Sequence, residues 1–162
     1  MVTHACIYVY QILAFAACNN LSVTNIHLTN SADKHMTVYR CSQVHVHNVT
    51  IVAPGDSPNT DGITMAISDH VYISNCSIQS GKKNPFIEIT VYHLHIINTN
   101  HWNELMIDSN VCECWHWTNA GDDCVSMLSY TTDVNITDIT CGPGHGIRYN
   151  LQMHNHEYAC LC

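Results

Sequence analysis

The sequence is poor in charge. Asp, Glu, Lys and Arg make up 11% of its 162 residues, against roughly 25% in an ordinary soluble domain. That excludes a coiled coil and a charge-rich disordered chain. Basic residues are scarcest: five Lys and Arg stand against 13 Asp and Glu, for a net charge of −8. A protein that neutralises phosphates needs the opposite sign, so no nucleic-acid partner is expected. No apolar run reaches the ~20 residues of a membrane span, so no membrane partner is expected either. No Lys or Arg precedes Lys34. The apolar stretch from Cys6 to Cys18 therefore lacks the positive region of a signal peptide, although Ala14-Phe15-Ala16 fits a cleavage pattern. The length bounds the chain to one domain or a piece of one.

Cysteine, by contrast, is plentiful, with ten residues. That number favours an oxidising compartment or metal binding. Four glycosylation sequons, at Asn20, Asn48, Asn75 and Asn135, favour secretion.

A repeat runs along the chain. Leu21 to Leu28, Val44 to Ile51, Val71 to Ile78 and Val134 to Cys141 share one pattern: an alternating β-branched strand, a polar Asn or Asp, then a second short alternating strand. The polar residues are Asn25, Asn48, Asn75 and Asp138. Asn tolerates the left-handed conformation, so a bend is expected there. Val23 to Val46 is 23 residues, Val46 to Ile73 is 27, and Ile73 to Ile136 is 63. Periods of this size belong to stacked supersecondary units. The Leu-rich consensus of leucine-rich repeats is absent. The pattern predicts an all-β fold, a parallel β-helix whose coils stack about 4.8 Å apart.

The long third interval contains a stretch of different composition. Residues 82–120 hold all three tryptophans (Trp102, Trp115 and Trp117) and two of the five basic residues (Lys82 and Lys83). Setting this stretch aside brings the spacing back to about one coil. It reads as an irregular insertion, either a loop at a coil corner or translated intron, for which the codons of Gly81-Lys82 and Ala120-Gly121 permit splice sites.

With the insertion set aside, three polar sites fall about one coil apart: Asn59-Thr60-Asp61, Asp122-Asp123, and His145 within Gly142-Pro-Gly-His-Gly146. They are expected side by side on one face, within ~10 Å of backbone. Clustered carboxylates cannot all stay ionised, so at least one Asp should hold its proton unusually tightly. Such an acid can protonate a leaving oxygen while another carboxylate activates water. The glycines flanking His145 remove side-chain bulk beside a groove.

Asn59-Thr60-Asp61, Gly121-Asp122-Asp123-Cys124 and Gly144-His145-Gly146 resemble, in that order, the signature motifs of polygalacturonases, glycoside hydrolase family 28, nearest its plant branch. The surrounding residues resemble the family too: Ser57-Pro-Asn-Thr-Asp-Gly-Ile63, Ile78-Gln-Ser-Gly81 and Cys141-Gly-Pro-Gly-His-Gly-Ile147. The resemblance implies a right-handed parallel β-helix that hydrolyses α-1,4-galacturonosyl links of pectin with inversion. Asp122 would be the general acid. Asp61 and Asp123 would position and activate the water, His145 would tune the acid, and Asn59 would support substrate. Cys124 and Cys141 would form a disulfide. A secreted cell-wall enzyme follows, monomeric, with polygalacturonate as its partner, no metal and no other cofactor. The family continues to an Arg-Ile-Lys motif and a tyrosine that bind substrate carboxylates. No Arg-x-Lys occurs here. Residues 14–147 are therefore expected to be a catalytic-domain fragment between atypical segments 1–13 and 148–162, with impaired hydrolysis.

Three other readings compete. Cys112, Cys114 and His116, with His154, His156, Cys160 and Cys162, offer soft ligands but lack the usual zinc spacing. His45 and His47 share one strand face and are expected to be ordinary outward polar residues. The chain could instead be an inactive β-helix fragment or a polysaccharide-binding remnant, or act on a related pectin such as rhamnogalacturonan.

Overall fold

The computed structural model describes residues 11–55, 57, 60–81, 89–96, 122–149 and 160–161. Within them the chain is a stack of coils built from two strand sets. One set holds the long strands β2 (Asn19–Thr29), β4 (Ser42–Val52), β6 (Asp69–Gln79) and β9 (Thr132–Cys141). The other holds the short strands β1 (Leu13–Ala16), β3 (Met36–Tyr39), β5 (Ile63–Ala66), β8 (Val125–Met127) and β10 (Ile147–Tyr149). Each set forms a parallel sheet in which successive coils are neighbours. The fold is thus a parallel β-helix.

The repeat sets the register. Val23 pairs with Val46, Val46 with Ile73, and Ile73 with Ile136. Met36, Ile63, Val125 and Ile147 form the matching column of the short-strand sheet. Alternate side chains point inward, and these columns are the core: Val46, Ile73, Ile136, Met36, Ile63 and Ile147 are all buried. Outward residues also align. His45 stacks on Tyr72 with ring centroids 5.0 Å apart, and His47 Nδ1 lies 3.0 Å from Ser74 Oγ. Both histidines are exposed, as the alternation predicts.

The polar breaks are bends. Asn25, Asn48, Asn75 and Asp138 have φ of 58°, 51°, 51° and 51°, the left-handed region that Asn and Asp tolerate. Each bend lies inside one long strand rather than between two. The Asn48 amide donates to Asn25 Oδ1 at 2.7 Å, linking adjacent coils through their bends.

The stretch 82–120 contributes regular structure. Its described part is β7 (Ile89–Ile96), which pairs antiparallel with β9. Val91, Leu94 and Ile96 are buried by it. The short run Ile-Thr-Val-Tyr-His-Leu-His-Ile carries enough apolar residues to cover the end of the core. The other sheet also ends on an antiparallel strand, β11 (Cys160–Leu161), beside β10. Strand β10 runs two residues beyond Ile147, so Arg148 and Tyr149 belong to the stack. The described residues contain no helix, and none long and apolar enough to cross a membrane.

Candidate active site

The acid motifs sit just before the short strands. Counting back two residues from the column Met36, Ile63, Val125 and Ile147 gives Lys34, Asp61, Asp123 and His145. Backbone bonds continue the ladder through this turn. His35 N donates to Asp61 O at 3.0 Å, Gly62 N to Asp123 O at 2.9 Å, and His145 N to Asp122 O at 2.8 Å. Parallel pairing therefore stacks Asp61, Asp123 and His145 on successive coils.

Residues flanking the inserted stretch meet at the site. Asp122 N donates to Ser80 O at 2.9 Å, and Ser80 Oγ donates back to Asp122 O at 2.6 Å, across 42 positions of sequence. Ser80 N in turn donates to Pro143 O at 3.0 Å. A Cβ on Gly144 would lie 2.5 Å from Ser80 Oγ and 2.8 Å from Asp122 O. Gly144 therefore lets the His145 loop lie directly on the acid loop, so the space it frees is used for packing. Behind the loops, Cys124 and Cys141 form a disulfide with a Cα–Cα distance of 5.9 Å. It joins the residue after Asp123 to the last residue of β9.

Asp122, Asp123 and His145 each bring a ligand-type atom within 4.8 Å of the others. Asp61 stands beside them, close enough for the charge of Asp122 to act on its carboxyl. Burial, then the neighbouring Asp122 carboxyl, push Asp61 up to about 6, against a smaller opposing pull from Thr64 and Lys34. Thr64 Oγ1 donates to Asp61 Oδ2 at 2.8 Å. Asp122 Oδ1 accepts from Asp123 N at 3.0 Å, which fixes its side chain over the turn.

Asp123 is the most deeply buried acid among the described residues, 1% exposed. Neither of its carboxylate oxygens has an aligned hydrogen-bond donor among the described residues. Arg148 Nε stands 2.9 Å from Oδ2 as an ion pair whose N–H is off the bonding line. Burial still wins: Asp123 is pushed up to about 6, although Arg148 and His145 both pull it down.

Sequence reasoning missed Arg148. No motif marks it; the available signal was its position one residue past Ile147, on the outward face of a strand. Lys34 was missed as well and is legible only from the column it shares with Asp61. Asn59 and Gly121 lie outside the described residues, as do Cys112, Cys114, His116, His154, His156, Cys162 and the side chain of Cys160. Asp122, Asp123 and His145 could hold a divalent cation, but Arg148 already occupies Asp123 Oδ2 and would compete for that oxygen.

A solenoid of short parallel coils with three carboxylates and an imidazole stacked at one corner defines a class: β-helix proteins carrying an acid–base site. Comparison with known proteins narrows it. The family model for glycosyl hydrolases family 28 matches residues 3–103 and 109–149. The chain is 36% identical over 129 residues to an exopolygalacturonase of Zea mays, covering 80% of this chain and 22% of that protein. It is 35% identical over 135 residues to polygalacturonase QRT2 of Arabidopsis thaliana, 83% of this chain and 22% of the relative. It is 33% identical over 140 residues to a polygalacturonase of Malus domestica, 86% and 22%. The chain belongs to glycosyl hydrolases family 28. It spans about a fifth of the length of these relatives.

Proposed function

We propose that this chain carries the acid–base core of a polygalacturonase, a hydrolase of α-1,4-galacturonosyl links in pectin. The observation that carries this reading is the convergence of Asp61, Asp122, Asp123 and His145 on one corner of the stack. Asp122, half-buried and turned toward the others, is the general acid. A positioned carboxylic acid can pass its proton to the leaving glycosidic oxygen. Asp123 is the base that takes a proton from water once ionised, and His145 and Arg148 set the charge around it. Asn59 is assigned to substrate support by its motif.

Inversion requires about 6.5–9.5 Å between acid and base, with a water between them. The Asp122 and Asp123 carboxyls bring oxygens within 4.8 Å of each other, a tighter arrangement, so productive binding would part these two carboxyls around the water. A substrate carboxylate would meet Lys34 and Arg148, the two cations beside the acids among the described residues. Exposed sequon asparagines at 20, 48 and 75, together with the Cys124–Cys141 bridge, fit a secreted, cell-wall location. A monomer is the proposed state.

The Arg148–Asp123 ion pair favours one second reading, a polysaccharide-binding fragment without turnover, because it occupies the proposed base. A reducing-sugar assay on polygalacturonate separates the two. The hydrolase reading expects release of reducing ends that falls about 10²–10⁴-fold in Asp122→Asn. Equal release by both proteins would overturn the assignment of Asp122. Binding without release by the unaltered chain would establish the second reading.

A further inference from the structure

The cysteines away from the acid site contain a second ordered pair. Cys18 and Cys41 occupy the same bend on successive coils, because Ala16 pairs with Tyr39 before them and Asn19 with Ser42 after them. Backbone bonds from Ala17 N to Tyr39 O and from Ser42 N to Cys18 O, both 2.9 Å, clamp the bends together. In the next coil the position is Ser68. At each step the side chain accepts the N–H of the coil before it: Cys18 N donates to Cys41 Sγ at 3.4 Å, and Cys41 N to Ser68 Oγ at 3.1 Å. The Cys41 sulfur is therefore turned toward Cys18. Stacked strands lie about 4.8 Å apart, inside the Cα separation of about 4.4–6.8 Å that a disulfide spans.

We propose that Cys18 and Cys41 are an oxidative modification site, a cross-coil dithiol that closes to a second disulfide by exchange with a small-molecule disulfide such as oxidised glutathione. Cys18 is half-exposed and Cys41 buried, so the oxidant meets Cys18 first. The Cys18 thiolate attacks one sulfur of the small disulfide and expels one thiolate, which takes up the proton Cys18 lost. Cys41 then gives its proton to water, and its sulfur attacks Cys18 Sγ and expels the second small thiol. Two protein thiols and one small disulfide become one protein disulfide and two small thiols, with two electrons passing to the small molecule. Burial pushes the Cys41 thiol up, which lowers its thiolate fraction, so the second step depends on the closeness of the two sulfurs. The S–H contacts surrendered are long: Cys18 to Ala16 O at 3.6 Å, and Cys41 to Tyr39 O at 3.4 Å and Phe15 O at 3.7 Å. The Tyr39 carbonyl keeps its bond from Ala17 N.

Cys76 is the built-in control. It is a buried free thiol that faces Ile139 across the ladder, so the register gives it no cysteine to join.

The test exposes the purified full chain to oxidised glutathione, alkylates remaining thiols, and maps disulfides by peptide mass spectrometry. The expected product is a Cys18–Cys41 cross-linked peptide, removed by dithiothreitol and absent in Cys41→Ser, with Cys76 alkylated. The oxidised chain should also melt roughly 5–10 °C higher. Oxidation repeated in urea shows whether the fold directs the pairing, and there Cys18 should join several cysteines. Alkylation of both Cys18 and Cys41, a glutathione adduct on Cys18 that does not resolve, or the same mixture of pairings with and without urea would each overturn the proposal.

Discussion

Replacing Asp123 by Asn should make the protein more stable at neutral pH while removing the proposed base. The reason is the burial of an ionised carboxylate. Asp123 is 1% exposed, and neither oxygen has an aligned donor among the described residues. Its folded-state value is about 6, raised from 3.8. A carboxyl raised by folding binds its proton more tightly in the native state. Its protonated form fits the fold below about pH 4, and stability then falls as pH rises from about 4 to about 6. Above that window the ionised group costs about 3 kcal/mol, at 1.36 kcal/mol for each pH unit between the two values. Asn does not titrate. The difference between variant and parent should be near zero at pH 4 and reach about 3 kcal/mol by pH 7. In melting temperature that is roughly 6–12 °C for a chain of this size. Arg148, 46% exposed, can turn to water once its partner is neutral. His35 is buried and its pKa is lowered chiefly by that burial, so it opposes stability on the acid side. It is present in both proteins and cancels in the comparison. Thermal or urea denaturation across pH 4–7.5 measures the difference. A difference that does not change with pH, or a variant less stable at pH 7, would refute the claim that Asp123 is held ionised in a poorly solvating site.

Arg148→Gln should raise the Asp123 midpoint further above 6, by roughly one pH unit for a half-exposed cation, read by carboxyl-carbon NMR titration; an unmoved midpoint would remove Arg148 from the site. Gly62→Ala should destabilise the chain by about 1–3 kcal/mol. Its Cβ would lie 2.5 Å from Cys124 O and also against Ile78 Cγ2, and urea denaturation that matches the parent would show that the loop gives way.

The stacking was legible from the chain because a β-helix repeats its local pattern. Val23, Val46, Ile73 and Ile136 recur at coil length, and Asn25, Asn48, Asn75 and Asp138 recur with them; those are short-range properties of alternation and of the left-handed tolerance of Asn. The acid column was legible for the same reason: equal spacing along a solenoid becomes adjacency across it. The Cys124–Cys141 bridge, which family resemblance alone implied, is formed.

Tertiary structure alone decided the rest. Whether 82–120 breaks the coil could not be read from composition; the answer lies in Ser80 bonding Asp122 across the gap and in β7 covering β9. Which acids bind a proton more tightly than an ordinary carboxyl depends on burial and neighbouring charge, and these are Asp61 and Asp123. Arg148 carries no motif, and its role exists only because one coil lays it over another coil's aspartate. Sequence thus determined the period and the faces, since these are local. Folding determined who touches whom at the corner, since ionisation and ion pairing depend on distance and solvent rather than on order along the chain.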